Sequence, residues 1–195
     1  MDEVGHDKAC LIMHTNPKEQ TGPDLEIVTN TAGLGDGQVL LSPVKYEAER
    51  MAMLYNMADC TINIADAEGF GLSTLESLAC GTPIIVNMTG GLQEQVTNGD
   101  EWFGVGIEPA SSAVIGTQTV PYIREDRISK QDFLAAMHKI YNMTSNERVE
   151  MGDAGTKHVL SNYSFGTYNE RWCSLLEDVH KRYGSWETRT GYNRW

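Results

Sequence analysis

Residues 60–86 hold the pattern that most restricts what this chain can fold into. A short apolar run (60–64) gives way to a loop containing Gly69 and Gly71. A helical run follows to Cys80 and stops at Gly81. Pro83 bars its continuation, and a second apolar run (83–86) begins there. The spacing predicts strand, glycine loop, helix and strand in close succession. Short, mostly apolar strands without strict polar alternation suit a parallel sheet buried on both faces.

The flanking sequence extends the alternation. Residues 9–13 and 38–41 read as strands. Between them Pro23 is expected at the first position of a helix over 24–32, with Gly33 as its stop. Met51, Leu54, Tyr55 and Ala58 mark an amphipathic helix over 46–58. Gly90-Gly91 opens a short helix to Val96, and 103–107 reads as a fifth strand. Residues 109–128 read as one long loop, long enough to suggest a role. Ser129 is expected to cap a helix striped by Phe133, Leu134, Met137, Ile140 and Tyr141. A further helix covers 146–160. Tyr168, Trp172, Leu175, Leu176, Val179 and Tyr183 stripe a last one, read as mostly core. The expected fold is therefore α/β: a Rossmann-like parallel sheet with helices on both faces over residues 9–108. Residues 109–195 complete the same domain as a loop and a helical C-terminal extension.

The chemistry concentrates at the start of the helix after Gly71. Glycines at 69 and 71 let the backbone turn sharply and let a ligand approach. The first amide N–H groups of a helix have no intrahelical acceptor, so residues 71–73 form an anion site at the carboxyl end of a parallel strand. Glu68 precedes that helix start and Glu76 lies just over one turn inside. Amides can take phosphate and carboxylates can accept from sugar hydroxyls. A carboxylate beside a diphosphate is repelled by it, so each Glu is expected to face the hydroxyl-bearing parts of the ligand.

The segment Glu68-Gly-Phe-Gly-Leu-Ser-Thr-Leu-Glu76, continued by Ala79, Gly81, Pro83, Ile84 and Ile85, resembles the E-x7-E signature of the family 4 retaining glycosyltransferases. Leu54-Tyr55 and Ala58-Asp59 upstream, and Gly90-Gly91-Leu92 and Glu94 downstream, fit the same pattern, which covers residues 38–96 strongly and the rest loosely. The resemblance implies the C-terminal, donor-binding domain of a GT-B enzyme that transfers a hexosyl-type sugar from a nucleotide-diphosphate sugar with retention of configuration. By that resemblance Glu76 would bind the ribose hydroxyls, and Glu68 would lie beside the donor sugar as the catalytic carboxylate. The backbone amides of Phe70, Gly71, Leu72 and Ser73 would meet the sugar and the diphosphate. The base would sit near Ser42, Pro43 and Val44. No metal and no cofactor beyond the nucleotide sugar is implied. The family's acceptor domain and the first strand–helix unit of its donor domain, which usually carries an Arg and a Lys for the diphosphate, have no counterpart in this sequence. The chain alone is accordingly expected to be incomplete and inactive, needing its acceptor domain in cis or in trans. Any peripheral membrane contact would come through that missing domain.

Other features narrow the field. A net charge of −12, without a Lys/Arg cluster, argues against a nucleic-acid surface. There is no run long and apolar enough to span a bilayer, and residues 1–8 do not resemble a signal peptide. Cys10, Cys60, Cys80 and Cys173 form no C-x-x-C pair and are expected to pack as small hydrophobes. The sequons at Asn87, Asn142 and Asn162 are then chance, and a cytoplasmic location is expected. Gly33-Leu-Gly-Asp-Gly37 reads as a turn. His14 is a candidate pocket residue, and Lys8 and Lys45 are weak candidates for phosphate. His138, His158 and His180 fall on helices, without partners at metal spacing. Glu125-Asp126 reads as solvated loop, and Trp186 and Trp195 as candidate contacts to a partner domain. Two alternatives stand beside the transferase: a non-catalytic remnant or subunit pairing with a separate acceptor-domain chain, and a sugar-nucleotide epimerase, against which the E-x7-E context argues.

Overall fold

The computed structural model describes residues 4, 5, 7–20 and 22–188. The chain divides into two compact units, Met1–Met51 and Ala52–Trp195.

In the first unit, β1 (Leu11–Met13) and β2 (Val39–Leu41) pair in parallel, with Ile12 opposite Leu40, and α1 (Leu25–Thr31) is the crossover between them. Asp24 caps α1, its carboxylate accepting from the amides of Glu26 and Ile27, so Pro23 lies before the cap rather than at the first helical position. The local reason is competition: a side chain able to bond two first-turn amides takes the cap ahead of a residue that only presets φ. No described residue of this unit is fully buried, and Ile27, Val28, Leu40 and Val44 are all exposed. α2 (Ala48–Met57) spans the division between the units.

The second unit is built on three parallel strands in the order β3 (Thr61–Asn63), β4 (Ile84–Asn87) and β5 (Val105–Ile107). α3 (Leu72–Ala79) and α4 (Leu92–Val96) are the crossovers. All four residues of the central strand β4 are buried, and their alternation assigns the layers. Ile84 and Val86 pack with Leu78, Leu92, Val96, Phe103 and Val159. Ile85 packs with Val105, Ile107, Ala136 and Ile140. One face is thus covered by α3, α4 and α6 (Ser145–Asn162), the other by α5 (Lys130–Asn142). The sheet is doubly covered, as its apolar strands require.

Capping sets the helical boundaries. Gly81, in the left-handed region at φ 74°, closes α3 by donating its amide to Leu78. Ser129 caps α5 as expected. Thr144 and Glu147 form a reciprocal capping box at the start of α6, which therefore begins ahead of the predicted residue 146.

Three further expectations are corrected. Residues 109–128 are not a loop: β6 (Ser111–Ile115) and β7 (Ile123–Arg127) form an antiparallel hairpin, with Ala113 opposite Glu125. Gly116 and Pro121 in its turn, and its mostly exposed strands, hide the two-residue period that a half-buried strand would show. The stripe on α7 (Phe165–Tyr183) is not core. No residue of that helix is buried, and Trp172, Leu176 and Tyr183 are 46%, 59% and 46% exposed. The period of a stripe reports that a face is apolar and says nothing about what covers it. Cys60 and Cys80 are partly buried, but Cys10 and Cys173 are exposed free thiols. Trp195 lies outside the described residues.

Candidate functional site

The site grows from the end of β3. The Asn63 carboxamide accepts from the amide of Ala65 (3.3 Å) and donates to Thr74 Oγ1 (3.1 Å), tying the loop after β3 to the first turn of α3. The loop reaches the helix through Gly71, at φ 88° and ψ 60°, a left-handed conformation that a Cβ disfavours. Gly71 is the N-cap and offers no side-chain oxygen, so no cap residue competes for the first-turn amides. A Cβ here would also stand 2.4 Å from Leu92 Cδ2.

The Gly90-Gly91 turn holds that loop in place. Gly90 is left-handed, and a Cβ on it would fall 1.7 Å from the Glu68 carbonyl oxygen. The Gly91 amide donates to the Gly69 carbonyl (3.2 Å), and Gln95 Nε2 donates to the Phe70 carbonyl (2.6 Å). Three successive carbonyls of the loop are thereby packed or bonded against the start of α4. Gln95 is fully buried and its Oε1 has no hydrogen-bond partner among the described residues. Phe70 packs edge-on against Tyr163, with ring centroids 6.1 Å apart.

The two carboxylates sit differently. Glu68 is half-buried in the loop. Glu76 is exposed and accepts a 2.9 Å hydrogen bond from the Tyr55 hydroxyl on α2. Burial, and that bond to an anion, push the Tyr55 phenol well above its ordinary value, so Tyr55 stays a donor. Leu72 and Ser73 are exposed at the helix start. Glu68, Phe70, Gly71, Leu72, Ser73 and Glu76 thus gather around the beginning of one helix. Ser42, Pro43 and Val44 belong to the other unit. There Ser42 bonds His14 Nδ1 (3.1 Å), and His14 stacks on Tyr46 at 5.0 Å, while Pro43 and Val44 are exposed.

The hairpin supplies residues that the sequence did not single out for this site. The Asp126 amide donates to the Asp66 carbonyl (2.7 Å), and the Asp126 carbonyl accepts from Asn87 Nδ2 (2.5 Å). Its carboxylate accepts from Thr89 Oγ1 (2.9 Å) and Ser112 Oγ (2.5 Å). Those hydroxyls hold the Asp126 carboxyl below its usual value. Asn87 is fully buried and also donates to the Ala65 carbonyl (2.9 Å). Glu125 pairs with Arg127, whose Nε lies 3.9 Å from Asp66 Oδ2. The expectation of a solvated Glu125-Asp126 loop therefore fails, because both carboxylates have partners. The one sequence signal for this was the length of the 109–128 segment. Among the described residues no cluster of three or more His, Cys, Asp or Glu side chains is arranged to hold a metal, and no helix is long and apolar enough to cross a membrane.

A doubly covered parallel sheet with a glycine loop opening onto an uncapped helix at the carboxyl end of a strand defines a Rossmann-like domain of the GT-B type. Residues 28–117 match the family model described as glycosyl transferases group 1. Over that segment, 90 of the chain's 195 residues, the sequence is similar to the group 1 glycosyltransferases. Among curated proteins it is 35% identical over 98 residues to a D-inositol 3-phosphate glycosyltransferase of Acidothermus cellulolyticus, covering 49% of this chain and 21% of the relative. It is 26% identical over 101 residues to an N-acetyl-alpha-D-glucosaminyl L-malate synthase of Bacillus anthracis, covering 52% and 26%. The matched segment therefore spans about a quarter or less of either relative's length. The fold is similar to that of a glycosyltransferase from Rickettsia africae, with a TM-score of 0.70, 14% identity, and 92% of this chain and 42% of that one covered.

Proposed function

We propose that this chain binds the nucleotide-diphosphate sugar donor of a retaining glycosyl transfer, as the donor half of a two-part enzyme. The observation that carries the reading is the uncapped start of α3 at left-handed Gly71, flanked by Glu68 and Glu76 and held by the Gly90-Gly91 turn. The first-turn amides of Leu72 and Ser73, which no cap side chain takes, and the helix dipole favour a diphosphate there. Glu76, oriented by Tyr55, accepts from the ribose hydroxyls. Glu68 lies on the sugar side, and the amides of residues 70–73 meet the sugar and the diphosphate.

In the transfer, the bond from the anomeric carbon to the diphosphate oxygen breaks and the acceptor oxygen bonds that carbon on the same face. The acceptor proton passes to the departing phosphate. Fixed amides, with no metal, stabilise the charge that develops on the diphosphate. The two relatives are named for different acceptors, D-inositol 3-phosphate and L-malate, which fits a matched segment that serves the donor side. Chemistry needs an acceptor domain in cis or in trans to position the acceptor and exclude water. The exposed apolar stripe of α7 supports a chain that pairs with such a partner.

Calorimetry with UDP-, GDP- and ADP-sugars tests the donor reading. One of the three should bind, and Glu76→Ala should weaken it about tenfold, the effect of one lost hydrogen bond to a charged group. Absence of binding by all three would rule the reading out.

A further inference from the structure

We infer that Asp126, near the end of the β6–β7 hairpin, is a positioning residue for the sugar side of the donor site. The inference rests on the donor-binding reading and adds a part of the chain outside the glycine loop and α3. Asp126 joins three segments. Its amide is bonded to the Asp66 carbonyl, two residues before Glu68, and its carboxylate to Thr89, the residue before Gly90. Ser112, across the hairpin, holds the second carboxylate oxygen. Buried Asn87 closes the ring by donating to the carbonyls of both Ala65 and Asp126.

The two segments that Asp126 grips are the same two that interlock at the site, because Gly90 lies against the Glu68 carbonyl and the Gly91 amide bonds Gly69. A shift of the Thr89 end would therefore be felt at Glu68 within one residue. Glu76 is oriented separately, by Tyr55 on α2. The two sides of the ligand are thus held by different structures: the ribose side by α2, the sugar side by the hairpin. Carboxylate-assisted bonds suit this duty, since they are shorter and stronger than bonds between neutral groups.

The arrangement predicts a split that a merely structural residue would not produce. The full chain and its Asp126→Ala, Asp126→Asn and Thr89→Val variants are titrated with UDP, GDP and ADP and with the matching UDP-glucose, GDP-mannose and ADP-glucose. Asp126→Ala should raise the Kd of the sugar nucleotide about tenfold, as loss of one charge-assisted bond would, and that of the nucleoside diphosphate, which Glu76 and the amides of Leu72 and Ser73 still hold, by much less. Asp126→Asn, which keeps one oxygen, should recover part of the loss. Hydrogen exchange without ligand should quicken at residues 66–71 and 88–91 in Asp126→Ala and Thr89→Val, and not in the β4 core. Equal weakening of both ligand types, or exchange quickened uniformly through the second unit, would overturn the proposal. If the wild type binds none of these ligands, the donor reading fails by itself. Localised exchange would then still support Asp126 as the clamp of the loop, and unchanged exchange would overturn both.

Discussion

At the scale of single residues, the site depends on the absence of side chains as much as on their presence. Gly90 carries the sharpest constraint. It is left-handed, and it stands so near the Glu68 carbonyl that a methyl group has no room at 1.7 Å. Backbone against backbone cannot yield as a flexible side chain can. Gly90→Ala should therefore move the Gly90-Gly91 turn away from the loop, costing about 1–3 kcal/mol for the strained conformation alone, and should abolish sugar-nucleotide binding. Thermal unfolding and calorimetry on one preparation would check this, and a variant with unchanged melting temperature and affinity would contradict it. Gly90-Gly91 was legible in the sequence as a helix opening and as part of the family pattern. Its contact with Glu68 was not, since the two lie in different crossovers and only the folded sheet brings them together.

At the scale of elements, the close packing of α3 on α6 secures the helix that carries the site. Gly152 and Gly155 on α6 are buried, and a Cβ at Gly152 would fall 1.9 Å from the Gly81 carbonyl oxygen. Thr156 Oγ1 donates to the Leu78 carbonyl (2.9 Å), and Leu78 is fully buried. Gly152→Ala replaces a poor helix former by the best one, which would stabilise a free helix by about 1 kcal/mol. Here the clash should reverse that sign, for a net loss of about 1–3 kcal/mol from overpacking, measured as a lower denaturant midpoint at unchanged slope. A stabilised Gly152→Ala would show that α6 does not approach α3 so closely. The sequence carried a signal for this contact in Gly-Asp-Ala-Gly inside a helical run. It was legible as helix but not as an interface, because periodicity does not name the partner. The hairpin was missed for a related reason: its strands are mostly exposed, and Asp126 anchors it through contacts with residues 37 or more positions away.

At the scale of the whole molecule, each unit leaves apolar surface uncovered. On α7, Trp172, Leu175, Leu176 and Val179 are 46%, 51%, 59% and 44% exposed. Side chains so exposed contribute little to the stability of the chain that carries them, so Leu176→Lys should change it by less than about 0.5 kcal/mol. Its effect should instead appear on pairing with an acceptor domain, as loss of co-elution when the two are mixed. A large stability loss in the chain alone would mean that the stripe is covered within it. The sequence by itself determined the alternation of strands and helices, most helix stops, and the glycine loop between two glutamates, because these depend on local φ/ψ preference, capping and period. Only the tertiary structure decided that the Gly90 turn packs on Glu68, that Asp126 reaches over from a hairpin, and that the last helix lies open. Those outcomes depend on which distant surfaces meet, and no local pattern encodes that.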